Sequence, residues 1–469
     1  MRTPQLADNL RRAVLQAAIE GKLNDRTSED ARDLLAAIQR EKTAQQKTGK
    51  QKKSKPLAAI NEEEIPFAIP DNWVWVRLSD LCYSIPSKPY QILQKETQMT
   101  GLYPVVSQSK NTIDGYSDKK EKLFSNIPII VFGDHTRVIK LIDFEFIVGA
   151  DGTKLLKPIL ANEKYVEFAL KALTINMVDR GYSRHFQFIK DLPIPLPPLT
   201  EQQQIVAKLN RLLTEIDELK TQEQSLLAAQ NAFPKKLRAA LLQAAVQGEL
   251  NERTNENARD LLAAIQAEKT ALQKTGKLKK DKPLAAIKEE EIPFAIPENW
   301  VWVRLGEIGI WGSGATPNRS NPDFYRNGDI NWLKTGDLND GYIDETSEKI
   351  TALAVEKSSV ILQPIGTVLM AMYGATIGKL GILNIPATTN QACCACVPFK
   401  GVLNKYLFYF LLFNRSNFIL MGAGGAQPNI SKEKIVSTLI PLPPLSEQQQ
   451  IVAKLEALLA EIDTLENAT

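Results

Sequence analysis

Leu57–Leu78 reads LAAINEEEIPFAIPDNWVWVRL and Leu284–Leu305 reads LAAIKEEEIPFAIPENWVWVRL, identical at 20 of 22 positions with an offset of 227. The same offset carries AVLQAAIEGKL (Ala13–Leu23) onto ALLQAAVQGEL (Ala240–Leu250), and DARDLLAAIQREKTAQQKTGK (Asp30–Lys50) onto NARDLLAAIQAEKTALQKTGK (Asn257–Lys277). A second match, PLPPLTEQQQIVAKL (Pro195–Leu209) with PLPPLSEQQQIVAKL (Pro441–Leu455), has an offset of 246. Repetition on this scale decides the architecture before any local pattern is read. Between the matches, roughly residues 80–190 and 307–436, no resemblance is visible. The chain therefore alternates a repeated frame with two unlike blocks, the second longer by 19 residues.

In repeat coordinates Thr469 falls on position 223 and Met1 on position 228. The two ends, brought together, are expected to rebuild the central helical segment. That describes a pseudo-two-fold molecule that closes on itself. A pseudo-dyad suits a partner that is itself nearly two-fold, and duplex DNA is such a partner.

The frame reads as helix. Thr200-Glu201-Gln202-Gln203 has the form of a capping box directly after the Pro-rich LPIPLPPL. Ile205, Leu209, Leu212, Ile216 and Leu219 then recur at coiled-coil spacing, and Ile451, Leu455, Leu458, Ile462 and Leu465 repeat them. Pro234 is expected to break the helix, with a second helix to follow. That one carries Leu237, Leu241 and Ala244 on one face and Gly248 as its stop. Leu10, Val14, Ala17 and Gly21 form the amino-terminal copy. Such a seam has two readings, a bundle core or a spacer between modules, and its alternation with two unlike blocks favours the spacer. A helix from Glu201 to Phe233 would be about 50 Å long at ~1.5 Å per residue.

Each helical segment leads into a lysine-rich stretch, first Lys42, Lys47, Lys50, Lys52, Lys53 and Lys55, then Lys269, Lys274, Lys277, Lys279, Lys280 and Lys282. They read either as solvated arms or as phosphate contacts outside a specific site. Two near-identical arms could not read two different base sequences.

The fold class expected is α+β: two globular α/β recognition domains separated by long antiparallel coiled-coil helices in a pseudo-two-fold cyclic repeat. The division is residues 1–60, an amino-terminal helical region and basic arm that pairs with the carboxy-terminal helix; 61–198, the first recognition domain; 199–287, the central helical region and arm; 288–444, the second recognition domain; and 445–469, the carboxy-terminal helix. A length of 469 residues accommodates about three domains. With 44% hydrophobic and 24% charged residues the composition is that of a globular protein. Net charge is only +3, so a nucleic-acid surface must be a local patch. No signal-type or membrane-spanning apolar run is present, and four cysteines, three of them crowded at Cys393, Cys394 and Cys396, suit a reducing cytoplasm.

Both blocks open on a Trp-x-Trp strand, Trp73-Val74-Trp75 and Trp300-Val301-Trp302. Short β-rich runs follow: IPIIVFG and FEFIVGA in the first block, TVLMAMYGA and ACCACVPF in the second. The residues expected to contact DNA cluster in the intervening loops. In the first block they are Ser107, Gln108, Lys110 and Asn111 with Ser109, His135 and Arg137 with Thr136, and Tyr182, Arg184 and Gln187 with Ser183 and His185. In the second they are Lys334 and Thr335; Tyr373, Thr376 and Lys379; and Gln427, Asn429, Ser431 and Lys432. Arg, Lys, Asn and Gln can read base edges with paired hydrogen bonds, and Ser and Thr serve phosphates or either groove. The clusters Arg184–Gln187 and Gln427–Lys432 each precede a Pro-rich exit.

No catalytic constellation emerges. GATIGK at Gly374–Lys379 is one residue short of a phosphate-binding loop, and Leu380 replaces the magnesium-holding Ser or Thr, so it reads as a glycine-containing turn. The three crowded cysteines have the wrong spacing for zinc and read as buried strand thiols. Only His135 and His185 are available as histidine bases. Asp344–Lys349 reads as an exposed turn. No Asn-Pro-Pro-Tyr or Asp-Pro-Pro-Tyr sequence is present to clamp a flipped adenine.

PLPPLxEQQQIVAKL, LLQAAVQGEL and EEEIPFAIPENWVWVRLGEIG resemble the specificity subunits of type I restriction–modification systems, as does the alternation of unlike blocks with similar helical regions. GSGATPNRS, INWLKTGDL and YGATIGKLGIL are similar to the recognition domains of that family; YPVVSQS and FGDHTRVIK resemble a different subtype. The resemblance spans essentially the whole chain. It implies a non-catalytic, cytoplasmic subunit that recognises a bipartite, asymmetric site in double-stranded DNA. It further implies two methyltransferase partners along the helical frame and two motor-nuclease partners. S-adenosylmethionine, ATP and magnesium would then belong to those partners and no cofactor or metal to this chain. The competing reading is a coiled-coil assembly scaffold that does not touch DNA.

Overall fold

In the first recognition block the strands are β1 (Val74–Arg77), β2 (Cys82–Ile85), β3 (Gln91–Ile92), β4 (Tyr103–Val106), β5 (Gly115–Ser117), β6 (Leu123–Phe124), β7 (Ile129–Gly133), β8 (Ile139–Ile142), β9 (Phe146–Gly149), β10 (Thr153–Pro158) and β11 (Pro193–Leu196). In the second they are β12 (Val301–Arg304), β13 (Gly309–Ser313), β14 (Ile330–Leu333), β15 (Gly341–Ile343), β16 (Glu348–Ile350), β17 (Val368–Ala371), β18 (Leu380–Leu383), β19 (Thr388–Thr389), β20 (Cys393–Pro398) and β21 (Leu439–Leu442). This computed structural model describes residues 5–47, 59–149, 151–175, 184–279, 283–423 and 428–468. The chain forms two units, Met1–Ala228 and Ala229–Thr469. The expected Trp-x-Trp strands are β1 and β12, and the four apolar runs named above supply β7, β9, β17 and β20. These four are buried along most or all of their length, as continuous rather than alternating apolar runs require. Cys82, Cys393, Cys394 and Cys396 are all buried thiols.

The two blocks, unlike in sequence, share the pairing of their core strands, while the strands added around that core differ. The first has a sheet in the order β2-β10-β7-β8 and the second β13-β20-β17-β18, extended by β15. In each, the strand after the block entrance pairs antiparallel with a later strand that also receives the central one. Beside it, β4 runs parallel to β9 with Val106 opposite Val148, and β14 runs parallel to β19 with Leu333 opposite Thr389. The blocks open and close alike: β1 pairs with β11, placing Trp75 opposite Pro195, and β12 pairs with β21, placing Trp302 opposite Pro441.

The frame fastens each block at this entrance and exit. Tyr165, on the helix Glu163–Thr174, donates its hydroxyl to the Pro195 carbonyl at 2.7 Å, and Tyr406, on Asn404–Phe413, does the same to Pro441 at 2.7 Å. Glu201 and Glu447 are fully buried carboxylates. Glu201 accepts from Asn24 at 2.6 Å, Arg26 at 2.8 Å, the Thr27 amide at 3.0 Å, Asn72 at 2.6 Å and Trp73 at 2.8 Å. Glu447 accepts from Asn251 at 2.7 Å, Arg253 at 3.1 Å, the Thr254 amide at 2.9 Å, Asn299 at 2.6 Å and Trp300 at 2.8 Å. Burial alone would raise the Glu201 carboxyl. The Thr27 amide, Trp73, Asn72 and Arg26 overcome that and lower it to about 2. Glu447 is likewise raised by burial but carried down to about 2 by Thr254, Trp300 and Asn299.

A helix runs from Leu199 to Gln247 with Pro234 inside it. The expected break at Pro234 is therefore absent. In repeat coordinates Pro234 corresponds to Ala7, in the first turn of the helix Leu6–Ile19, a position that tolerates proline. The capping box expected at Thr200–Gln203 also does not form. The helix begins at Leu199, the Thr200 hydroxyl donates to Glu29 at 2.7 Å and Gln203 is exposed. In the first unit Leu6–Ile19 lies antiparallel to the long helix, with Asp8 to Lys220 at 2.8 Å and Arg11 paired with Asp217. Leu15, Ala18 and Ile19 share a core there with Ile205 and Leu209. In the second unit Leu242, Ala245 and Val246 share a core with Ile451 and Leu455 of Leu445–Ala468, and Arg238 pairs with Glu466 at 2.7 Å. Gly21 (φ +71°) and Gly248 (φ +77°) terminate their helices as expected, in the left-handed conformation that glycine adopts without penalty.

Candidate nucleic-acid interface

Because the two sheets share the pairing of their core strands, the loops at one edge correspond. In the first unit this edge gathers residues 107–111 after β4, 134–138 between β7 and β8, 151–152 before β10, and 184–187. Gln108 joins three of these loops. Its Oε1 accepts from the His135 amide at 3.0 Å, its Nε2 donates to the Asp151 carbonyl at 2.9 Å, and its own carbonyl accepts from the Thr136 hydroxyl at 2.5 Å. Asp134, 3% exposed, brings in the fourth, accepting from the Phe186 amide at 2.8 Å.

In the second unit the same edge gathers residues 334–337 after β14, 372–379 between β17 and β18, 390–392 before β20, and 428–432. The Asn390 amide donates to the Leu333 carbonyl at 2.9 Å, Met372 to Ala392 at 2.8 Å, Gly374 to Pro428 at 2.9 Å and Ile430 to Met372 at 2.9 Å. Gly314 sits against this edge so closely that a Cβ would lie 2.1 Å from the Thr389 carbonyl oxygen and 2.3 Å from that of Asn390. Only glycine permits that approach.

The expected contact residues that fall on described positions thus lie on one edge in each unit, but they are not equivalent there. Lys110, Asn111, Arg184 and Gln187 are exposed, while Ser107, His135 and Arg137 are half-buried. Arg137 adopts φ +60° and lines a cleft of about 450 Å³ with Arg11, Thr136, Phe168 and Lys171. Tyr373, Lys379 and Asn429 are exposed and Thr335, Thr376 and Lys432 half-buried; a cleft of about 380 Å³ brings Tyr373, Asn429, Ser431 and Lys432 together. Thr376 donates its hydroxyl to the Tyr373 carbonyl at 2.8 Å. Tyr182 and Gln427 lie outside the described residues, as do Ser183, Lys50, Lys52, Lys53, Lys55, Lys280 and Lys282.

Several of these side chains are already committed. Both ends of the Gln108 amide are used within the protein. His185 is fully buried, with Nδ1 3.0 Å from the Asp134 carbonyl. Lys334 Nζ donates to Glu348 at 2.6 Å, and Ser431 accepts from the Lys434 amide at 3.4 Å as the cap of Lys432–Val436. Of the arm lysines, Lys42 is held by Asp80 at 2.6 Å. Asp134 was not among the candidates expected from the sequence. Neither was Arg319, which lies 4.7 and 4.6 Å from the ring centroids of Tyr325 and Trp332 and pairs with Glu348 at 2.7 Å. Only the fold brings Arg319 to its two aromatics, and nothing in the sequence marked Asp134. Among the described residues no group of His, Cys, Asp or Glu converges as metal ligands, and no helix is long and apolar enough to cross a membrane.

Comparison with known proteins agrees with the repeat. The chain is 28% identical over 412 residues to the type I restriction enzyme EcoR124I/EcoR124II specificity subunit of Escherichia coli, covering 84% of this chain and 87% of that protein. It is 28% identical over 537 residues to the EcoAI specificity subunit of the same organism, covering 97% and 89%. A crystal structure of the HsdS subunit from Thermoanaerobacter tengcongensis is 19% identical, with a TM-score of 0.43 over 86% of this chain and 93% of that one. The family described as the type I restriction modification DNA specificity domain matches twice, at residues 70–228 and 297–469, so that most of each block and of the helix that leaves it is covered and the chain belongs to this family.

Proposed function

We propose that this chain is the specificity subunit of a type I restriction–modification complex and reads a bipartite, asymmetric DNA target, one half-site per unit. The observation that carries this reading is the duplicated loop edge: the same four loops are assembled twice, on the same core strand pairing, from unlike residues. A repeated frame with unlike loops suits two readers of different base sequences, since phosphate contacts position a protein while base-edge contacts distinguish sequences. The side chains assigned to DNA contact are Ser107, Lys110, Asn111, His135, Arg137, Tyr182, Arg184 and Gln187 in the first unit. In the second they are Thr335, Tyr373, Thr376, Lys379, Gln427, Asn429 and Lys432. Gln108, Lys334 and Ser431 act on the shape of the edge instead.

The frame is where identical partners are assigned, because two copies of one partner need two like surfaces. These are two methyltransferase subunits, carrying S-adenosylmethionine, joined by two motor-nuclease subunits that use ATP and magnesium, all in the cytoplasm. The helical segments at residues 1–60, 199–287 and 445–469 hold the two readers in the assembly. The test is DNA methylation by the chain assembled with its methyltransferase. Arg137→Ala should relax base preference in one half-site and Lys379→Ala in the other. Relaxation of both half-sites by either change would contradict the assignment of one reader per unit.

A further inference from the structure

Base reading demands side chains held to about 0.5 Å, yet loops are ordinarily the most mobile parts of a fold. In the first unit the four loops of the edge come from positions as far apart as 107 and 187. We propose that Asp134, which is buried and has no surface to offer DNA, is a positioning residue that fixes this edge and thereby sets discrimination at one half-site. The proposal rests on the reading of the edge as a DNA interface.

Asp134 uses every polar atom it has. Its amide donates to the Gly152 carbonyl at 2.7 Å, tying the β7–β8 loop to the turn before β10. Its carbonyl accepts from the His185 amide at 2.8 Å and lies 3.0 Å from His185 Nδ1. A carbonyl only accepts, so Nδ1 carries the proton. Its carboxylate accepts from the Phe186 amide at 2.8 Å through Oδ1 and faces Lys154 Nζ at 3.4 Å through Oδ2. Lys154 in turn stands 5.7 Å from the Phe186 ring centroid. The one remaining loop, 107–111, is joined by Gln108 to the same turn through Asp151 and to the β7–β8 loop through His135 and Thr136. Two residues thus weld four loops, and folding rather than binding bears the entropy of ordering them.

The second unit joins its four loops through backbone bonds instead: the amides of Asn390, Met372, Gly374 and Ile430 donate to the carbonyls of Leu333, Ala392, Pro428 and Met372. Loss of Asp134 should therefore be felt on one side only.

The experiment uses the full chain assembled with its methyltransferase, and compares methylation of the cognate site with sites altered at single bases in either half. Asp134→Ala should lower discrimination at one half-site about tenfold, a loss comparable to one base contact, and leave the other unchanged. Asp134→Asn, which keeps an acceptor for the Phe186 amide, should restore most of it. Should the alanine variant not assemble, Gln108→Glu, which removes the donor to Asp151, should give the same one-sided loss. Wild-type discrimination in Asp134→Ala, or equal loss at both half-sites, would overturn the positioning role. If Arg137→Ala is also without effect, the reading of the edge itself fails.

Discussion

The Trp73 indole donates to Glu201 at 2.8 Å, and Trp300 donates to Glu447 at the same distance. Each bond joins the residue that enters a recognition block to the helix that leaves it. With entrance and exit fastened to one buried carboxylate, the residues between them are free to differ. The frame can then be nearly the same in both units while the edges it presents are not.

Replacing Glu201 with Gln removes the charge that faces Arg26 and leaves several donors competing for one acceptor. A cost of about 2–3 kcal/mol is expected, toward the lower end for a buried pair because Arg26 is partly exposed. Glu447→Gln should cost a similar amount. Denaturant unfolding followed by hydrogen exchange should show loss of protection concentrated in the unit that carries the change.

Acid should act through the same two groups. Both carboxyls lie at about 2 in the folded chain against an ordinary 4.5, so each stabilises fully above 4.5 and loses that contribution as pH falls toward 2. Wild-type stability should decline across this window. A Glu201→Gln, Glu447→Gln double variant, less stable at neutral pH, should show a shallower decline. Parallel curves would place the acid sensitivity elsewhere.

Much of this frame was legible. The glycine stops at Gly21 and Gly248 follow from local backbone chemistry, and the Trp-x-Trp strands from residue preference. Glu201 was not, because a glutamate in a first helical turn ordinarily faces water and its donors come from residues 24–27 and 72–73. The common core pairing of the two blocks was hidden for a similar reason. Strand pairing depends on register and burial, so Val106 and Leu333 hold equivalent places without shared neighbours. Gln108 and Lys334 were read as base contacts from residue type, but their partners Asp151 and Glu348 are brought close only by the fold.

Gly314 offers a test of the second edge alone. Gly314→Ala would force its Cβ against the Thr389 and Asn390 carbonyls, which must shift to admit it. Overpacking of this kind costs about 1–3 kcal/mol. Methylation assays should show weakened discrimination at one half-site, the one that Lys379→Ala affects, with the other intact.

Exchange of Ser79–Pro193 for the equivalent block of another family member should change one half-site and spare the other. The bonds from Trp73 and Tyr165 mark where such a graft must match: the first lies in the frame and is retained, and the second requires a tyrosine in the incoming block. Methylation mapping of the chimaera reads the result, and simultaneous change in both half-sites would show that the blocks do not read independently.

The most direct measurement is a genome-wide map of methylated adenine in cells that express the chain with its methyltransferase, against cells that lack the chain. Two unlike readers on a repeated frame predict a motif of two short specified parts, different from one another, separated by unspecified bases. A continuous motif, or one whose two parts are palindromic copies, would contradict the account.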